Sequence, residues 1–109
     1  MTGRTSRNKG ARGELEVQAI LVEHGYTNVT RGFASGASGG GDLVGGPNGW
    51  HWEVKRTETT RPWDWIAQAN DAKADHEVPV VAFRRSRSEW HAIVPLDELV
   101  RLIKKAELG

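Results

Sequence analysis

Cysteine is absent from this 109-residue chain, which excludes a disulfide framework, a zinc–thiolate centre and a thiol nucleophile. Methionine and tyrosine occur once each. No apolar run approaches the ~20 residues of a membrane-spanning helix, and the N-terminus carries no signal-peptide core, so no membrane association is expected. Net charge is nearly absent too, at +1. What remains is 38% hydrophobic and 27% charged, the balance of one globular domain with a real core.

The small net charge conceals an uneven distribution. Arg4, Arg7, Lys9 and Arg12 occur in the first twelve residues without an acid among them. Residues 1–10 read as a flexible basic arm, and residues 11–109 as the single domain. A second cluster, Arg84, Arg85 and Arg87, interrupts a hairpin-like segment. Local cationic patches favour phosphate contacts, although solvated surface charge explains either cluster taken alone.

The pattern predicts a first helix from Ala11 to His24, stopped by Gly25. Glu14 falls between Val17 and Leu21 on one side and Leu15 and Val22 on the other, while Glu16 and Glu23 face water. Burying a carboxylate costs free energy unless cations or donors compensate, so Glu14 requires a partner. Strands are predicted over Asn28–Phe33, Asp42–Val44 and Trp50–Arg56, with Gly45–Gly49 as a turn. A glycine-rich loop, Ala34–Gly41, joins the first two. Pro62 suits the first turn of a helix running to about Asp75. Val78–Phe83 reads as a buried central strand and Glu89–Val94 as another. Pro95 opens a last helix in which Leu96, Leu99, Val100 and Ile103 share a face. The order α-β-β-β-α-β-β-α implies an α/β fold, a mixed sheet flanked by helices.

Period-two alternation puts Glu53 and Lys55 on one face of the third strand, and Trp50, Trp52 and Val54 on the other. Asp42 and Glu53 lie eleven positions apart, a separation that a hairpin through Gly45–Gly49 brings together. Two or three protein oxygens suffice for magnesium, which keeps several waters, and the Val54 carbonyl is an additional candidate ligand. Acids beside an ammonium group suit metal-assisted phosphodiester hydrolysis. An ordinary exposed strand face explains Glu53 and Lys55 alone, but not Asp42 after a turn-rich loop together with Glu14 on an apolar helix face. One metal and two both fit.

These residues resemble the PD-(D/E)xK nuclease superfamily and, within it, the archaeal-type Holliday junction resolvases. Lys9-Gly-Ala-Arg-Gly-Glu14 resembles the Lys-Gly-x-x-x-Glu helix start, and Arg31-Gly-Phe-Ala-Ser35 the Arg…Ser segment before the catalytic loop. Asp42-Leu-Val resembles the first motif acid, and Trp52-Glu53-Val54-Lys55 the Glu-Val-Lys strand. The resemblance runs from Lys9 to about Ile103 and implies a restriction-endonuclease-like fold. It makes Glu14, Asp42 and Glu53 metal ligands, Lys55 catalytic, and Ser35 a neighbour of the substrate phosphate. It also implies Mg2+, with Mn2+ as substitute, branched DNA as substrate, a homodimer for two symmetric cuts, and a cytoplasmic setting in a bacterial, archaeal or phage-infected cell. Arg4, Arg7, Lys9, Arg12, Arg31, Ser35 and Ser38 are the expected DNA contacts.

Departures from the family pattern are specific. Gly41 replaces the proline before the motif acid, and Leu15 stands where an arginine often follows the helix glutamate, leaving that phosphate contact to Arg12 or another basic residue. The loop before Asp42 is longer, which leaves Ser35 and Ser38 as alternatives. Trp63 and Trp65 flank Asp64 and cannot share a helical face; packing or base stacking are their two readings. Gln68 lies one turn into the helix after the Glu53 strand, where some superfamily members carry a polar helper, but reads as solvated. His51, although on the Glu53 face, reads as an edge histidine touching solvent. Two other functions are compatible with the pattern, a restriction- or repair-type nuclease acting on duplex and a non-catalytic DNA-binding module.

Overall fold

The computed structural model describes residues 3–32 and 42–109, with side chains from Lys9 onward in the first helix. Helix α1 spans Gly3–Glu23, so residues 3–10, read from the sequence as a flexible arm, continue the helix. Once the packed part is nucleated each further residue adds one hydrogen bond, no proline interrupts, and Lys9 Nζ lies 3.3 Å from Glu58 Oε2. The far end stops as expected. Gly25 has φ +102°, and its N–H donates to Val22 O at 2.9 Å while that of Tyr26 donates to Leu21 O at 2.9 Å. That pair of bonds satisfies the last carbonyls.

Strands β1 (Thr30–Arg31) and β2 (Leu43–Val44) are shorter than their pattern suggests. Asn28 serves a turn instead: its Oδ1 accepts from the Gly46 N–H at 3.2 Å. Gly45, at φ +86°, passes so close that an added Cβ would collide with the Asn28 carbonyl. Strand β3 occupies Trp50–Arg56 as the alternation predicts. Helix α2 (Pro62–Ala72) ends before Asp75 because Lys73 is extended, and the Glu77 carboxylate accepts from the Ala74 N–H at 2.8 Å. Strand β4 (Val78–Arg84), strand β5 (His91–Ile93) and helix α3 (Leu96–Leu108) complete the predicted order.

The sheet order is β1-β2-β3-β4-β5, with β3 and β4 parallel and the other neighbours antiparallel. Parallel pairing requires the crossover that α2 provides. Val17 and Leu21 of α1 pack with Val29, Leu43, Val54 and Ala82 on one face. Trp65 and Ala69 of α2 pack with Val81 on the other, and Phe83 lies 5.6 Å from Trp65 between ring centroids. Leu15 and Val22 are exposed, so only one side of the predicted apolar face is core. Glu16, expected in water, accepts from Trp90 Nε1 at 2.9 Å and lies 3.2 Å from Arg84 Nε. Both tie α1 to the β4–β5 end of the sheet.

Candidate active site

Pairing of Leu43 with Trp52 brings Asp42 against the strand that carries Glu53. The link is completed by backbone and side chain together. The Asp42 N–H donates to Trp52 O at 2.8 Å, and the Asp42 carboxylate accepts from the Val54 N–H at 2.6 Å. Because N–H and C=O of one strand residue point to the same side, the Val54 carbonyl also faces the Asp42 edge. Both acids are buried, Glu53 to 3% exposure. Burial raises the Glu53 carboxyl above its ordinary value, and the Asp42 charge raises it further, against the lowering by His51 and Lys55.

Four contacts organise this cluster. His51 Nε2 lies 2.7 Å from Glu53 Oε2 and its Nδ1 3.7 Å from Glu77 Oε1. At 5% exposure His51 is not the solvent-touching edge residue of the sequence reading: α2 and the turn after it close over that face. Lys55 Nζ donates to Gln68 Oε1 at 2.6 Å, so Gln68 is a partner of the lysine and not merely solvated. On the other helix, Arg31 Nε donates to Glu14 Oε1 at 2.8 Å. This supplies the cation that a carboxylate at 6% exposure demands.

Glu53 and Lys55 pair with Val81 and Phe83, which face α2, whereas Glu14 approaches from α1. Among the described residues no three Asp, Glu or His side chains form a group arranged to hold a metal ion. The donor set nonetheless suits a hard divalent cation: two buried carboxylates oppose one another's charge, and a strand carbonyl faces the same edge. Gly13 governs how closely α1 approaches, since a Cβ there would stand 2.8 Å from Arg56 Cβ.

Of the expected phosphate contacts, Arg12 is exposed on α1. Lys9 and Arg31 are engaged as above. The side chains of Arg4 and Arg7, together with Ser35 and Ser38, lie outside the described residues. Arg84 is committed internally, with its guanidinium 5.8 Å from the Trp90 ring centre and Nη1 donating to Ser88 O at 3.0 Å. Arg85 and Arg87 are exposed. Alternation already placed His51 on the Glu53 face; nothing local indicated that α2 would deliver Gln68 to Lys55.

Five mixed strands with helices on both faces, and an acid pair beside a lysine on the antiparallel–parallel junction strand, define a restriction-endonuclease-like α/β protein. The family model described as "Phage putative PDDEXK endonuclease" matches residues 5–108, and the chain belongs to that family. Among solved structures it is similar to Hjc, a Holliday junction resolvase from Archaeoglobus fulgidus, with TM-score 0.59 and 23% identity over 79% of this chain and 75% of that one. No curated protein sequence matches the chain.

Proposed function

We propose that this chain is a Mg2+-dependent, structure-selective endodeoxyribonuclease that resolves four-way DNA junctions by paired symmetric cuts as a homodimer, with Mn2+ able to replace Mg2+. The observation that carries the nuclease reading is the Asp42–Glu53 pair beside Lys55 in a chain of the PDDEXK endonuclease family. Asp42, Glu53 and the Val54 carbonyl are the proposed metal ligands, with Glu14 as the third acid. A divalent cation bound there supplies positive charge against phosphate oxygens and lowers the pKa of a bound water.

The chain's own groups do the remaining work. Gln68 holds the Lys55 ammonium at 2.6 Å, where it meets the charge that develops on the phosphate in the transition state. His51 fixes one Glu53 oxygen, and the other is the proposed metal ligand. Arg31 orients Glu14 and, with Arg4, Arg7, Lys9, Arg12 and Ser35 or Ser38, is proposed to contact DNA phosphates. Such contacts position the duplex arms without reading sequence, so selectivity comes from branch shape.

Similarity of fold to a protein described as a Holliday junction resolvase supports the choice of a four-way junction. The test compares a synthetic four-way junction with linear duplex of the same sequence, with Mg2+, with Mn2+ and with EDTA. Junction cutting abolished by EDTA is expected. Equal rates on both substrates would assign the chain to the duplex-cutting, restriction- or repair-type nucleases. Binding without nicking in either metal would make it a non-catalytic DNA-binding module.

A further inference from the structure

Glu58 lies in the connection from β3 to α2, residues 57–61, and its side chain is 47% exposed. Donors from three elements converge on its carboxylate. Lys9 Nζ, from α1, lies 3.3 Å from Oε2, and Arg56 Nη1, from the end of β3, 3.0 Å from the same oxygen. In the turn between β4 and β5 the Ser86 hydroxyl donates to Oε2 at 2.7 Å, while the Ser86 N–H is shared between both oxygens at 3.2 Å. Arg56 Nη2 also donates to Ser86 Oγ at 3.1 Å, so the donors brace one another. The Ser86 hydroxyl foremost, then Arg56, the Ser86 N–H and Lys9, lower the Glu58 carboxyl to about 2. The cradle favours an anion.

An exposed ion pair adds little to stability, yet the groups around this one are firmly placed. The Arg56 side chain is only 12% exposed, its stem covered and its guanidinium delivered to the surface. The turn that offers Ser86 includes Arg87 at φ +65°, a left-handed conformation that is strained for a side chain other than glycine. Ser88 Oγ accepts from the Arg85 N–H at 3.2 Å and donates to the Arg85 carbonyl at 3.1 Å, which holds that turn from inside. Arg85 and Arg87, both exposed, flank Ser86, so positive charge surrounds the cradle beyond what Glu58 neutralises. Fixed donors gathered on one accessible carboxylate are the construction of an anion site.

We propose that Lys9, Arg56 and Ser86 form a phosphodiester-binding cradle, filled in the free chain by Glu58, whose carboxylate a backbone phosphate of the DNA displaces. A phosphodiester matches what the cradle holds: one negative charge spread over two terminal oxygens of a single atom. Because Glu58 is exposed, turning its side chain away empties the cradle without disturbing the sheet. Arg56 stands three residues beyond Glu53 on β3, about 10 Å along the strand, which is about three phosphates at the rise of one DNA strand. The cradle therefore grips the backbone beside the cutting site, and Glu58 lowers affinity by competing for it. That the ligand is DNA rests on the nuclease reading; that the cradle takes a phosphodiester does not.

Affinity for a short DNA duplex, measured in EDTA at one salt concentration so that nothing is cut, tests the exchange. Glu58→Gln is expected to tighten binding about 2- to 30-fold, the worth of two exposed ion pairs that no longer have to break. In the wild type the Ser86 amide resonance is expected to shift as duplex is added. Glu23→Gln removes the same charge about 20 Å along α1 from Lys9, and is expected to change affinity by less than about 2-fold. In a Lys9→Gln, Ser86→Ala background the gain from Glu58→Gln is expected to shrink, since the cradle and its competitor are coupled. A gain of equal size in that background, or one matched by Glu23→Gln, is a long-range charge effect and overturns the exchange. Weaker binding by Glu58→Gln also overturns it, reducing Glu58 to a clasp for the turn, as does a Ser86 amide unmoved at saturation. The expected pattern in a chain that cuts nothing with Mg2+ or Mn2+ defeats the nuclease reading and leaves the cradle standing. Junction cleavage by a chain whose DNA affinity is indifferent to Glu58→Gln does the reverse.

Discussion

The Asp42 carboxylate accepts a 2.6 Å hydrogen bond from the backbone N–H of Val54, the residue between Glu53 and Lys55. One acid thereby clamps the strand that carries the other acid and the ammonium. Spacing between the three groups is set by a backbone contact, not by flexible side chains alone.

Asp42→Asn keeps an oxygen that accepts from Val54 and removes the charge. We expect a folded protein in which Mg2+-dependent cleavage falls by at least about 100-fold, more than the loss of an outer-sphere partner, with junction binding retained or tightened. Gel shift and cleavage assays on one preparation check this. Asp42→Ala should instead cost about 1–3 kcal/mol of stability by leaving the buried Val54 N–H without its acceptor, read by denaturant unfolding.

Glu53 predicts a pH dependence of stability. Its carboxyl is raised above 4.5 by burial and by Asp42, so the folded chain holds that proton to higher pH than the unfolded chain. The associated stability is fully present below the unfolded pKa and is lost as pH rises through the folded pKa. Glu53→Gln stays neutral throughout. In EDTA its Tm should exceed that of the wild type near neutrality, and the difference should close as pH falls to about 4. A wild-type Tm above that of Glu53→Gln at neutral pH would refute the charge-burial account.

His51 predicts a separation of stability from metal affinity. Its Nε2 fixes a Glu53 oxygen at 2.7 Å, the position of a partner behind the proposed metal ligand. His51→Ala should weaken Mn2+ binding, measured by calorimetry, about 10–100-fold. His51→Gln, which retains a donor, should recover part of that loss. An unchanged Mn2+ affinity in His51→Ala would reduce His51 to a packing role.

Gly13 predicts a steric limit. Its absent Cβ lets α1 lie against Arg56 and Val54, which brings Glu14 toward the sheet. Gly13→Val should lower stability by about 1–3 kcal/mol through overpacking despite improving helix propensity. Gly10→Ala, with open space around it, should stabilise by up to about 1 kcal/mol. Thermal unfolding of the two variants in parallel tests this opposition.

Element order, the helix stop at Gly25, the buried interior strand at Val78–Phe83 and the common face of His51, Glu53 and Lys55 were legible because periodicity and turn chemistry act locally. The hairpin separation likewise announced that Asp42 would meet the Glu53 strand. Helix ends followed less well: residues 3–10 extend α1, and Asn28 leaves β1 for a turn, because propagation and side-chain capping compete with propensity.

Residue type and spacing by themselves determined the restriction-endonuclease-like order of elements and the acid–acid–lysine combination, since alternation and hairpin register are properties of a few consecutive residues. Only the tertiary structure decided who partners whom: His51 with Glu53, Gln68 with Lys55, Arg31 with Glu14, and Lys9 with Glu58. Those pairings join elements far apart in the chain, where the direction of a helix across the sheet, not the identity of neighbouring residues, sets which polar groups must satisfy one another away from water.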